Sequence, residues 1–97
     1  MFVVTVLFEV HAPYADAFRQ AVVQQAHNSL GLEADCHRFD VSSRDDEPQI
    51  TFLYEIYTDE AAFQGHLASQ HYKDFSATVE DWVAVKEVNT FHLLVTD

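Results

Sequence analysis

The chain has little of what small proteins use to reinforce a weak core or to bind charged polymers. One cysteine, Cys36, in 97 residues rules out an internal disulfide framework and any multi-cysteine zinc site. Two glycines and two prolines exclude collagen-like and flexible-linker classes, and no internal repeat or low-complexity tract interrupts the sequence. Bases are scarce beside acids, five against sixteen, for a formal net charge of −11. Arg19, Arg38, Arg44, Lys73 and Lys86 are scattered, so no basic patch is present to displace counterions from nucleic acid or an anionic membrane. Neither partner is expected. No apolar run approaches the roughly 20 residues of a membrane span. The opening MFVVTVLFEV lacks the basic n-region and the length of a signal peptide, so the expectation is a cytoplasmic protein.

What the chain does have is apolar. A hydrophobic content of 48% and an aromatic content of 13% argue against disorder and suit one modest core in one domain over residues 1–97. Residues 2–10 are β-branched and aromatic and read as a strand. Pro13 suits the first turn of a helix, and Tyr14, Phe18, Ala21, Val22 and Gln25 recur at helical spacing to about Leu30, with Gly31 as the expected stop. CHRFDVSS (36–43) and ITFLYEIY (50–57) read as the next two strands, joined by the charged loop RDDEPQ. Thr58 is the expected N-cap of a short helix to about Leu67. Ser69 is the expected cap of another, on which Tyr72, Phe75, Val79, Trp82 and Val83 make an apolar face. A last strand is expected from about Val85 to Val95. The order β-α-β-β-α-β predicts a ferredoxin-like α+β fold, an antiparallel sheet with helices on one face.

The strands carry more apolar surface than one layer of helices can cover. Phe2, Val4, Val6, Phe8 and Val10 occupy one face of the first strand, and Val3, Thr5 and Leu7 the other. In the third strand Ile50, Phe52, Tyr54 and Ile56 lie opposite Leu53 and Tyr57. The second face is therefore expected to pack on another copy, giving a homodimer through the sheet. Burying about 600 Å² of apolar area per subunit would contribute on the order of 15 kcal/mol before association costs.

Four polar residues sit among apolar neighbours: Glu55 in FLYEIY, His66 beside Phe63 and Leu67, His71 beside Tyr72, and Asn28 one turn after Gln25. If the helices pack on the sheet, these groups converge between the layers, where a histidine beside a glutamate can act as a base near neutral pH. Each also has a plainer structural reading. A strand glutamate is commonly ion-paired, a histidine on an apolar face commonly holds a hydrogen-bond network, and Asn28 can simply end its helix. Arg38 and Asp40 share a strand face and can pair, and Phe75 and Trp82 suit the core. His66 and His71 are five apart across an expected helix break, unlike the i,i+4 pair of a helical zinc site. With Glu55 they form at most a two-histidine-one-carboxylate set, and no metal is expected. Cys36 has nothing to activate it. The sequence carries no phosphate-binding glycine loop, dinucleotide fingerprint or nucleophile elbow, so no cofactor is expected.

CHRFDV followed by ITFLYEIYTDEAAFQGHLASQHYKDF resembles the antibiotic biosynthesis monooxygenase domain family. The resemblance is carried by Cys36, Arg38, Phe39, Asp40, Val41, Phe52, Glu55, Tyr57, Asp59, Ala62, His66, His71 and Tyr72. Ala34-Asp35 replaces the family's usual pair before the cysteine. Thr5 and Leu7 stand where haem-degrading members carry an asparagine, which turns the expectation away from haem. The resemblance implies dimers of ferredoxin-like subunits that join their sheets into a barrel. It also implies cofactor-independent monooxygenation of a small quinol or phenol, with His66 as base, Glu55 orienting it, and His71 or Asn28 bonding the developing oxyanion. Phe18, Phe63, Phe75 and Trp82 would then wall the pocket, with Tyr72 and Arg38 also contacting substrate. The family equally contains an isomerase of phosphorylated autoinducer-2, which would use a base beside a carbonyl and Arg38 or Lys73 at the phosphate. A non-catalytic ligand-binding dimer is the third reading.

Overall fold

The computed structural model describes residues 1–95. Four strands, β1 (Phe2–Val10), β2 (Cys36–Ser43), β3 (Ile50–Tyr57) and β4 (Val83–His92), form one antiparallel sheet in the order β2-β3-β1-β4. Helices α1 (Ala15–Leu32), α2 (Glu60–Ala68) and α3 (Gln70–Val79) supply the crossovers, which is the ferredoxin-like arrangement expected from the sequence. Among the described residues no helix is long and apolar enough to cross a membrane.

The alternation in β1 decides where the core lies. Phe2, Val4, Val6, Phe8 and Val10 are buried against Phe18, Val22 and Ala26 of α1 and Val79 of α3, with Leu53 and Tyr57 of β3 on the same face. The opposite face is apolar and uncovered by any helix. Phe52, Val85 and Phe91 are exposed there, beside half-buried Leu7, Tyr54 and Ile56.

Several element ends differ from the sequence expectation. Gly31 does not stop α1, because no described glycine adopts a positive φ. The helix runs to Leu32 and ends at Glu33, whose extended backbone (φ −113°, ψ 107°) still donates its N–H to the Ser29 carbonyl at 3.1 Å. Asp59, not Thr58, caps α2 by accepting from Ala62 N at 2.8 Å. The Thr58 hydroxyl is already engaged, donating to Asp35 Oδ1 at 2.9 Å. Ser69 caps α3 as expected, accepting from Tyr72 N at 3.3 Å. Trp82 falls in a single turn of tighter helix (Glu80–Trp82), and β4 starts at Val83 and ends at His92 rather than Val95.

Candidate active site

Ser69 sets the geometry of the site. Its N–H and hydroxyl both donate to the His66 carbonyl, at 3.1 and 2.6 Å, while its oxygen caps α3. One residue thus ends α2 and begins α3, placing His66 in the last turn of one helix and His71 in the first turn of the next. Their rings stand 5.8 Å apart. His66 is buried among aromatic rings, with centroids at 5.4 Å for Tyr57, 5.1 Å for Tyr72 and 6.2 Å for Phe63.

The carboxylate that holds His66 is Glu33. His66 Nδ1 lies 2.8 Å from Glu33 Oε2, a contact between the C-terminus of α1 and α2 that the sequence reading missed. A carboxylate only accepts, so Nδ1 is the protonated nitrogen of a neutral His66 and Nε2 keeps the free lone pair. Burial lowers the pKa of His66 from its ordinary 6.5, and the Glu33 hydrogen bond and charge act against that shift. His71 Nε2 is 2.7 Å from the same Glu33 oxygen but lacks hydrogen-bond geometry to it, and is a buried nitrogen left without a hydrogen-bond partner. The other nitrogen of His71 faces Gln25 Oε1 of α1 at 3.3 Å. Gln25 belongs to the buried stripe Phe18–Val22–Gln25–Ser29, whose polar end therefore meets α3. The ligand atoms of Glu33, His66 and His71 lie within 4.8 Å of one another, so this trio could hold a transition metal. The 2.8 Å hydrogen bond to Glu33 satisfies His66 Nδ1, whereas His71 Nε2 is left without a hydrogen-bond partner.

Glu55, expected to orient His66, has a different partner. It points into the same layer from β3, 3% exposed, and its Oε1 accepts from the Tyr57 hydroxyl at 2.5 Å. Burial raises the Glu55 carboxyl to about 7, against the Tyr57 bond, which lowers it. Burial and the neighbouring Glu55 push Tyr57 well above the ordinary phenol range, so it remains a donor. Cys36 is buried and its thiol is pushed up to about 12 by burial and by the Glu33 and Glu55 charges, so it stays protonated.

Between the sheet and the helices Glu55, His66, Tyr72, Phe63 and Phe75 line a cavity of ≈ 40 Å³, together with Gln25 and Lys86. His71 does not line this cavity: it meets Gln25 and Glu33 behind it and faces the surface groove between α1 and α3. Four further expected site residues lie elsewhere. Arg38 is on the outer sheet face, because the register of β2 shifts between Cys36 and Arg38, and it pairs with Asp40 at 2.7 Å. Asn28 faces a surface groove between α1 and α3 and accepts from Gln24 at 2.9 Å. Phe18 is fully buried in the core between Phe8 and Phe75. Trp82 stacks on Tyr14 at 5.7 Å, outside the cavity. Besides Glu33, the polar residues that line the cavity and that the sequence reading left out of the site are Gln25 and Lys86. Only Gln25 carried a usable signal, as a polar residue in an apolar helical stripe.

A four-stranded antiparallel sheet under helices, with a histidine–carboxylate cluster at the ends of α1 and α2 and the start of α3, defines a ferredoxin-like domain. The chain belongs to the antibiotic biosynthesis monooxygenase family, whose model matches residues 1–78. It is similar to the solved structure of a candidate antibiotic biosynthesis monooxygenase from Nitrosomonas europaea, at 28% identity and TM-score 0.92 over 98% of this chain and 100% of that one. It shares the fold of Rv0793 from Mycobacterium tuberculosis (21% identity, TM-score 0.88, 98% and 96% covered). It also shares that of a candidate family member from Deinococcus radiodurans (18% identity, TM-score 0.90, 100% and 96% covered). No curated protein matches the chain.

Proposed function

We propose that the protein is a cofactor-independent monooxygenase that oxidises a small aromatic or quinol-type substrate with O₂, with His66 as its base. The Glu33–His66 hydrogen bond carries this reading. It sets the tautomer, and burial keeps the imidazole neutral near pH 7, as a general base requires. For a substrate with an acidic ring CH₂, His66 Nε2 takes one proton and the resulting anion reduces O₂. Oxygen adds at that carbon, and His66 returns the proton to the peroxide. Loss of the second C–H proton with the O–O bond then expels water and leaves C=O, so CH₂ and O₂ become C=O and H₂O. Gln25, which lines the cavity with His66, supplies a polar group near the developing charge.

The inner cavity, at ≈ 40 Å³, has room for roughly two waters. Substrate is seated in the open chamber of ≈ 480 Å³ beside it, which shares Phe8, Tyr72, Phe75 and Lys86 with the cavity. A second copy packed on the exposed apolar sheet face completes the proposal as a homodimer.

The test is oxygen uptake by metal-free protein with a panel of quinols and anthrone-like phenols, in parallel with His66→Ala. Uptake that needs His66 and no added cofactor supports the reading. A folded protein that consumes no O₂ with any of them, yet isomerises a phosphorylated dicarbonyl, overturns it.

A further inference from the structure

We propose that Lys86 reads an anionic group on the substrate, and that its contact with Tyr72 is a latch which a small aromatic acid releases. This deepens the preceding reading by naming the substrate class, and its test is independent of turnover. Lys86 lies on the helix-facing side of β4, opposite Phe8 of β1. It lines both the inner cavity and the outer chamber, as do Tyr72, Phe8 and Phe75. Its Nζ donates to the Tyr72 hydroxyl at 3.2 Å and stands 5.7 Å from the ring centroids of both Phe8 and Tyr72. The Tyr72 ring lies in turn 5.1 Å from His66. The three residues form a row from chamber to base, and Tyr72 partitions it.

The charges in this chamber run against those of the whole chain. Sixteen carboxylates face five bases overall, yet two of those bases, Lys73 and Lys86, line this one chamber with Glu80 as its acid. Arg38 and Arg44 are paired with acids on the surface, whereas Lys86 makes no ion pair among the described residues. Lys86 is exposed, and an ammonium whose protein partners among the described residues are a phenol and two ring faces has capacity for a carboxylate, since charge-assisted bonds outcompete neutral ones. An aromatic ring suits the space between Phe8, Phe75 and Tyr72. Its acidic substituent would draw Lys86 off the Tyr72 hydroxyl, freeing that ring to turn and open the path to His66.

The test is anaerobic calorimetric titration of gentisate, a carboxylated hydroquinone, against hydroquinone itself. Wild type should bind gentisate about tenfold more tightly. Lys86→Met should remove most of that preference and leave hydroquinone within about twofold, while Lys86→Arg retains it. Tyr72→Phe, which unlocks the latch, should tighten gentisate binding by about twofold to threefold. Equal binding of the two ligands by wild type overturns the proposal, as does a Lys86→Met variant that stays folded by circular dichroism and keeps the preference. Selective gentisate binding with no O₂ uptake for any substrate would leave the proposal standing and remove the monooxygenase reading.

Discussion

Glu33 and His66 are separated by 33 positions in the chain and by 2.8 Å in the fold. The contact ties the end of α1 to the last turn of α2, and it makes one nitrogen of a buried imidazole a donor and the other an acceptor. A histidine base needs such a partner to hold its ring and its tautomer. The same Glu33 oxygen lies 2.7 Å from His71 Nε2 without hydrogen-bond geometry, and the hydrogen bond that holds His71 is to Gln25.

Removing the base should act on turnover. His66→Gln is expected to lower kcat by about 10²- to 10⁴-fold while far-UV circular dichroism is unchanged. A folded variant with full activity would assign His66 a structural role.

The pH profile should report the His66 proton. Activity needs the neutral ring and burial lowers its pKa, so kcat/KM should fall on an acid limb below 6.5. Glu33 raises that pKa, so Glu33→Gln should move the limb further toward acid and lower kcat about tenfold. A limb that moves toward alkali would sever the proposed link between the two residues.

Glu55 should make stability depend on pH in the opposite sense from most carboxylates. Its folded pKa, about 7, lies above the ordinary 4.5, so the folded state holds the proton more tightly. That stability is fully present below pH 4.5 and is lost as pH rises through about 7, by on the order of 3 kcal/mol. Glu55→Gln keeps an acceptor for Tyr57 and should flatten the dependence, raising Tm at pH 8 relative to wild type more than at pH 5. Chemical denaturation across that range checks it, and parallel curves for the two proteins would refute it.

Phe18, read from sequence as a pocket wall, should behave as core. It is 1% exposed and packed on Phe8 and Phe75, so Phe18→Ala should cost about 3–5 kcal/mol in urea denaturation. Its effect on KM in the folded fraction should be small.

The outer sheet face should hold the dimer. Sedimentation is expected to give twice the 11.1 kDa chain mass, and Phe91→Glu or Phe52→Glu to give monomer. Both side chains are exposed, at 53% and 40%, and neither belongs to the core, so the variants should keep their fold.

The fold was legible because its signals are local. Period-two alternation in residues 2–10 and 50–57, helical spacing from Phe18 to Gln25 and the Ser69 cap each act within one element. The parity of β3 placed Glu55 with Leu53 and Tyr57, and those three do share the buried face. Where the local signal was weak the boundaries slipped. Gly31 reads as a helix stop, yet with no positive φ required the helix continued to Leu32.

The sequence by itself determined the order of strands and helices along the chain, the presence of two apolar sheet faces, and the expectation of Glu55 and His66 between the layers. Periodicity and capping chemistry encode such features within a few residues of where they act. Only the tertiary structure decided which carboxylate holds His66, since that depends on where α1 ends and how it docks beside α2. It also decided that Arg38 faces outward, because one register shift in β2 reverses the parity after Cys36 and puts Phe39, not Arg38, on the inner face. Lys86 was one scattered base among five until the pairing of β4 with β1 set it opposite Phe8 and against Tyr72. Contacts of this kind join distant segments through packing and register, and no local pattern records them.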